Sequence, residues 1–135
     1  AAVVLHDYEF GGSADKWRWL ERNRLALVVR TYPASLLVLL APALLATELA
    51  LLVVAVAGGW GRQKLRANLE FLRWLPRLLR ERREIQRRRA IGPREFAAWL
   101  TPDLDSELIS PLVRTWPARL ALRTYWRVVR LLLPR

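Results

Sequence analysis

Residues 34–57 form an apolar run (ASLLVLLAPALLATELALLVVAVA) in which Glu48 is the single charged side chain. As a helix, this run of 24 residues would be about 36 Å long. That length crosses a hydrocarbon core of roughly 30 Å with some tilt. A soluble domain of 135 residues rarely buries a helix so long and so apolar. The run therefore predicts a membrane-embedded segment, and the other elements must be compatible with lipid.

Two residues within this run complicate a simple span. Pro42 predicts a kink, because proline has no amide hydrogen and its ring crowds the preceding turn. A kinked membrane helix and a re-entrant hairpin bending at Pro42 both stay open. A charged, unpaired Glu48 near the bilayer centre would cost about 2.5–3.5 kcal/mol. We expect its carboxyl group to be protonated, turned toward protein or near an interface, and we prefer a tolerated polar residue over a substrate- or proton-handling group.

The whole chain is both strongly basic and hydrophobic. It has 23 Lys+Arg against 12 Asp+Glu, a formal net charge of +11, and 53% hydrophobic residues. Charge with little hydrophobicity is typical of disorder, whereas this combination is typical of proteins that place basic side chains at headgroups and apolar ones at acyl chains. The sequence has no Cys and one His, which excludes disulfides and thiolate nucleophiles and disfavours a His-rich metal site.

The remaining segments are predicted to be mainly helical. Residues 1–12 (AAVVLHDYEFGG) predict a short terminal strand followed by a turn. The sequence begins within this predicted strand, so we expect further sequence upstream. Residues 13–33 predict an amphipathic helix, for which we prefer the membrane interface over packing on a soluble core. Residues 58–90 predict a basic amphipathic helix, and residues 91–135 a helical C-terminal region.

Helical spacing predicts one apolar face on each amphipathic helix. The expected faces are Leu20, Leu27 and Val28 in the first helix; Leu65, Leu69, Leu72 and Leu79 in the second; and Leu122, Tyr125, Trp126, Val129 and Leu133 in the last, opposite Arg119, Arg123, Arg127 and Arg130. Aromatic residues expected at the membrane interface are Trp17, Trp19, Tyr32, Trp60 and Trp74. Both flanks of the apolar run are basic, so a single span leaves one basic flank outside, whereas a re-entrant segment keeps both inside.

Short motifs add a family resemblance. His6, Tyr8 and Phe10 form a His-x-Tyr-x-Phe element, followed by Leu-Glu-Arg-Asn-Arg at 20–24 and Tyr-Trp-Arg at 125–127. With the apolar segment and the arginine-rich helix between them, these motifs resemble the C-terminal part of bacterial family 2 glycosyltransferases of the rhamnosyltransferase-like subset that builds surface polysaccharide. The resemblance covers essentially the whole chain.

The resemblance implies a GT-A catalytic domain upstream, a nucleotide-sugar donor and a divalent cation, Mg²⁺ or Mn²⁺. The family's Asp-x-Asp motif and catalytic base would lie upstream, so no catalytic residue is expected here; Asp103-Leu104-Asp105 follows the apolar run and is rejected as the metal site. His6 matches a family histidine that approaches the metal-diphosphate, although a strand-end histidine bonded to backbone is the alternative. Arg22 and Arg24 either hold a lipid-linked diphosphate or pair locally with neighbours such as Glu21.

The expected function is therefore the membrane-docking portion of a glycosyltransferase that transfers a sugar to a lipid-linked glycan acceptor. It would act at the cytoplasmic face of the bacterial inner membrane, and this chain would not be catalytic by itself. The alternative is a small non-enzymatic membrane anchor or scaffold that binds anionic lipid. Nucleic-acid binding is disfavoured, because the apolar run argues against it and the sequence has no helix-turn-helix, zinc or RNA-recognition signature.

Overall fold

The computed structural model describes residues 14–102 and 115–134, and this part of the chain is helical, without strands. Its helices are α1 (Ala14–Thr31), α2 (Ala34–Ala57), α3 (Gly61–Arg87), α4 (Pro93–Ala98) and α5 (Trp116–Leu132). The mainly helical expectation is confirmed for these residues. The strand and turn predicted for residues 1–12 lie outside the described part of the chain.

Helix α2 coincides with the apolar run. It begins after Pro33, ends before Gly58, and continues as one helix through Pro42. The structure therefore has one continuous helix here, not the hairpin bent at Pro42. α2 is long and apolar enough to cross a membrane. Beyond it, Gly59 has a φ of 76°, a left-handed conformation that glycine adopts at little cost, and the chain turns there into α3.

Helices α1 and α3 pack side by side and run in the same direction. Their contacts advance along both helices together: Trp17 with Trp60, Arg22 with Glu70, Arg30 with Glu81, and Thr31 with Gln86. Helix α2 starts next to the end of α1 and finishes where Trp60 stacks on the first turn of α1. It is therefore antiparallel to both neighbours.

Polar side chains of α3 cap the end of α1. Arg82 Nη1 donates hydrogen bonds to the carbonyl oxygens of Val29 and Tyr32, at 2.5 and 2.7 Å. Gln86 Nε2 donates to the carbonyl oxygen of Thr31 at 3.1 Å. The last carbonyls of a helix have no partner within the helix, and they carry the negative end of its dipole. These bonds therefore fix the register of α3 against α1.

Helices α4 and α5 pack on the N-terminal half of α2. The small core at this end consists of Leu36, Ala97, Val129 and Leu133. The Tyr125 hydroxyl donates to the carbonyl oxygen of Leu39, and α5 runs antiparallel to α2. The face predicted for α5 is the one that packs inward, and the four arginines opposite it are exposed.

The apolar face predicted for α1 does not face the core. Leu20 and Leu27 are 52% and 58% exposed, whereas Glu21 and Ala26 are buried. Ala67 of α3 is fully buried as well, and small side chains allow two helices to approach closely. Periodicity identified a face of α1, but the acidic and small side chains on a different face make the helix–helix contact.

Candidate functional site

Helix α2 exposes an apolar surface along its length. The most exposed large side chains on it are Val38, Leu45, Leu49, Val53 and Val56, with exposures between 65% and 73%. Contiguous exposed apolar patches larger than a few hundred Å² mark protein, ligand or membrane interaction sites in soluble proteins. This surface is therefore a candidate interaction site.

The leucine row of α3 extends this surface. Leu65, Leu69, Leu72 and Leu79 share a face, as their spacing predicts, and each is between 43% and 57% exposed. Leu72 of α3 and Leu45 of α2 both line a cleft of about 360 Å³ between the helices. We call α2's five exposed residues and these four leucines the apolar surface. Arginines are interspersed along α3, so the surface has a basic rim.

Four charged side chains meet where α1, α2 and α3 come together. Lys64 Nζ donates to Glu48 Oε2 at 2.6 Å and also to Glu21 Oε2. Arg24 Nη2 donates to Glu21 Oε2 at 3.0 Å and also to Glu48 Oε1. Two carboxylates and two cations make the group formally neutral. We call Glu21, Arg24, Glu48 and Lys64 the ion network.

The ion network explains how α2 accommodates a carboxylate. Of the three expectations for Glu48, the structure has the carboxyl group turned toward protein, where it is paired twice. Lys64 is 0% exposed, and a buried ammonium requires paired and hydrogen-bonded partners because desolvation of a lone charge is very costly. The network therefore joins all three helices at one point.

Sequence analysis did not identify Lys64 as part of this group. A signal for it exists, since Lys64 lies at helical spacing from Ala67 and Leu78, and all three are fully buried. Lys64 lies on a helix rich in arginine, so its sequence context predicts one more solvent-exposed basic side chain. The inward face of α3 became apparent only from its contacts with α1.

Charge pairing sets the pKa of two network members. Burial raises the pKa of Glu21, but hydrogen bonds and charges from Arg24 and Lys64 outweigh burial and bring that pKa below its ordinary value. Burial lowers the pKa of Arg24, but its bonds to Glu21 and Glu48 outweigh burial and bring that pKa above its ordinary value. Both shifts favour the ionised forms, so the α1 side of the network stays charged near neutral pH.

The two arginines predicted to bind phosphate have partners in the structure. Arg24 pairs with Glu21 on the same helix, which is the local alternative, and also with Glu48. Arg22 Nη1 lies 3.3 Å from Glu70 Oε2, and its guanidinium carbon lies 5.5 Å from the ring centroid of Trp74. The structure therefore separates the two arginines into different contacts, and a phosphate role for them stays a prediction.

Aromatic side chains flank both ends of α2. Trp17 and Trp60 stack with ring centroids 4.9 Å apart at its C-terminal end, and Tyr32 precedes its N-terminal end. Trp19 is 51% exposed, and Trp74 is half-buried beneath an arginine. Trp17, Trp60 and Tyr32 therefore lie near the ends of α2, whereas Trp74 lies midway along α3. The position of these aromatic side chains at a membrane interface stays a prediction.

The metal expectation rests on a residue outside this structure. His6, the predicted contact for a divalent cation, precedes the described residues. Within residues 14–102 and 115–134, no group of three or more His, Cys, Asp or Glu side chains could hold a metal ion. Comparison with protein-family models, with curated proteins and with solved structures gave no match. The resemblance to family 2 glycosyltransferases therefore rests on the sequence motifs alone and stays a prediction.

Proposed function

We propose that this chain is a membrane-docking module whose helices lie in the plane of one leaflet. The apolar surface would enter the acyl boundary, and the arginines on its rim would meet headgroup phosphates. The observation that carries this proposal is the exposure of α2: no residue of its most apolar 18-residue stretch is buried, although α1 and α3 run beside it.

An in-plane position is favoured over a span by the neighbours of α2. Helix α3 lies alongside it and exposes arginines along most of its length: Arg62, Arg66, Arg73, Arg77, Arg80 and Arg83. A single arginine at the bilayer centre costs about 2.5–3.5 kcal/mol by insertion measurements. Moving α2 across the bilayer in this arrangement would bring several of these side chains into hydrocarbon. Lying flat immerses the leucine row and leaves at headgroup depth the arginines that lie to one side of it, whereas Arg83 continues the row only at the end of α3.

The free energy available from docking is substantial. Full burial of a Val or Leu side chain is worth about 1.5–3 kcal/mol, and α2 alone exposes five such side chains by at least 65%. Each arginine near an anionic surface adds about 1 kcal/mol. Several half-immersed side chains and a few arginines are therefore enough for stable attachment, and anionic lipid is expected to strengthen it.

Depth measurements on α2 test the proposal directly. The chain contains no Cys, so single cysteines at Val38, Leu49 and Val56 can each carry an environment-sensitive fluorophore. Quenching by lipids brominated at known depths is then measured in phosphatidylcholine–phosphatidylglycerol vesicles. An in-plane helix predicts similar, shallow depths at all three positions.

Three outcomes separate the alternatives. A deep central position with shallow ends indicates a span and contradicts the in-plane proposal. Absence of quenching at every position, together with no flotation with vesicles, contradicts docking altogether. As a matched control, a cysteine at Arg77 is expected to be quenched less than one at Leu79, because two residues along a helix place the two side chains about 160° apart and Arg77 lies off the leucine row.

The resemblance extends this proposal to the complete protein. On that basis, the module would hold a glycosyltransferase domain at the leaflet where a nucleotide-sugar donor and a lipid-linked glycan acceptor meet. A reading frame that continues upstream through an Asp-x-Asp motif supports this extension. A start Met immediately before Ala1 supports the anchor or scaffold alternative instead. In-plane docking is common to both.

A further inference from the structure

A second charged site lies away from the ion network, at the C-terminal end of α5. Arg94 of α4 and Arg127 and Arg130 of α5 line a cleft of about 460 Å³, with Leu131 as its apolar wall. Among the described residues, no carboxylate lines this cleft. Within residues 14–102 and 115–134, none of these guanidinium groups forms a salt bridge, unlike Arg22, whose charge is paired.

Main-chain carbonyl groups hold Arg94 in position. Its Nε donates to the carbonyl oxygen of Leu133 at 2.7 Å, and its Nη2 donates to that of Leu131 at 3.2 Å. These carbonyls belong to the end of α5, where the helix leaves them without internal partners. The bonds orient the guanidinium plane, and no described carboxylate pairs with its positive charge. A pre-oriented arginine loses less conformational entropy when it binds a ligand.

We propose that this cleft binds a terminal phosphate group, as in a phosphomonoester. Three guanidinium groups around one cleft repel one another, and an anion relieves that repulsion. A phosphomonoester carries about −1.5 to −2 charges at neutral pH and three acceptor oxygens, and arginine binds phosphate with two parallel hydrogen bonds. A phosphodiester offers fewer free oxygens and less charge, so it is the weaker ligand.

The wall of the cleft favours a lipid as the source of this phosphate. Leu131 is 75% exposed and Leu132 is 63% exposed, so apolar side chains flank the cationic groups. A headgroup phosphate with acyl chains beside it has the same juxtaposition of anion and hydrocarbon. This choice of source rests on the proposed docking function. The phosphate chemistry does not, because inorganic phosphate or a soluble phosphate ester presents the same oxygens.

The test compares two double variants that remove equal charge. Arg127→Gln/Arg130→Gln alters the cleft, and Arg80→Gln/Arg83→Gln removes two exposed arginines of α3 that form no salt bridge with a described residue. Flotation is measured with phosphatidylcholine vesicles containing phosphatidic acid or phosphatidylglycerol, adjusted to the same surface charge. Circular dichroism checks that both variants keep the helical content of the unmodified chain.

The unmodified chain and the α3 variant are expected to prefer phosphatidic acid over phosphatidylglycerol. The cleft variant is expected to lose this preference, with a weakening of about tenfold or more on phosphatidic acid, since two charge-assisted contacts are removed. Equal weakening of both double variants on both lipids would show diffuse charge attraction and overturn the phosphate site. Millimolar inorganic phosphate should compete with phosphatidic acid for the unmodified chain.

A micelle measurement separates this inference from the docking proposal. Binding of inorganic phosphate to the chain in neutral detergent is followed by calorimetry, with the cleft variant as the comparison. Phosphate binding that the cleft variant loses supports the site even if no vesicle binds, and that result would reject docking and the lipid source together. No phosphate binding and no phosphatidic acid preference would overturn the site while leaving vesicle docking intact.

Discussion

Replacing Lys64 with methionine is expected to destabilise the helical assembly strongly. The variant keeps an unbranched apolar stem of similar length and removes the ammonium group that contacts both Glu21 and Glu48. Two carboxylates then share Arg24 alone, and the formal charge of the ion network becomes −1. Glu21 is buried and the Glu48 side chain is 23% exposed, so water compensates the loss poorly.

The magnitude follows from the two contacts that are lost. A hydrogen bond between charged groups contributes about 1.5–3 kcal/mol, and breaking a buried pair by removing one partner typically costs about 3–5 kcal/mol. Arg24 remains to satisfy part of both carboxylates, which moves the expectation toward the lower limit. We expect the free energy of unfolding to fall by about 3 kcal/mol.

A second substitution tests whether Lys64 and Glu48 stabilise the fold as a pair. The double variant Lys64→Met/Glu48→Leu removes one cation and one carboxylate, so the two remaining members, Glu21 and Arg24, form a neutral pair. It should recover most of the lost stability, because a buried ion pair replaced by apolar groups is often neutral in free energy. The coupling between the two substitutions measures the pair directly.

Denaturant unfolding in a neutral micelle, followed by circular dichroism, provides the free energies. Arg66→Met on the same helix is the control, since Arg66 is exposed and forms no salt bridge with a described residue; it should change stability by less than about 0.5 kcal/mol. Equal effects of Lys64→Met and Arg66→Met, or a double variant less stable than Lys64→Met alone, would refute the buried network.

Three further predictions use the same unfolding assay. Arg82→Leu should cost about 1–3 kcal/mol through the lost cap of α1, whereas Arg83→Leu, at the exposed neighbouring position, should change little. The pKa of Glu21 is below its ordinary value in the folded chain, so its contribution to the free energy of unfolding should be complete above the ordinary pKa and should be lost as the pH falls through the pKa of the folded state. Glu21→Gln should therefore make the free energy of unfolding depend less on acid pH. Gly59→Ala should cost about 1 kcal/mol through its positive φ alone, because a Cβ there meets no atom within 4 Å.

Some parts of the fold were predictable because they depend on local sequence. The bounds of α2 follow from an apolar run that Pro33 and Gly58 terminate, and residues near the run do not change that preference. The inward face of α5 was predictable too, since a strong separation of arginines from large apolar side chains leaves one choice. In α1 the separation is weak, and tertiary contacts selected a face that includes Glu21 and Ala26.

The functional arrangement depends on contacts between residues distant in the sequence. Sequence alone determined that the chain has a long apolar helix, basic amphipathic helices and one carboxylate that needs a partner. It did not determine that Lys64 is that partner, nor that Arg94 meets Arg127 and Arg130. Helical periodicity establishes which side chains share a face, but the direction in which successive helices return decides which faces meet. Only the tertiary structure, with α2 antiparallel to α1 and α3, made that choice.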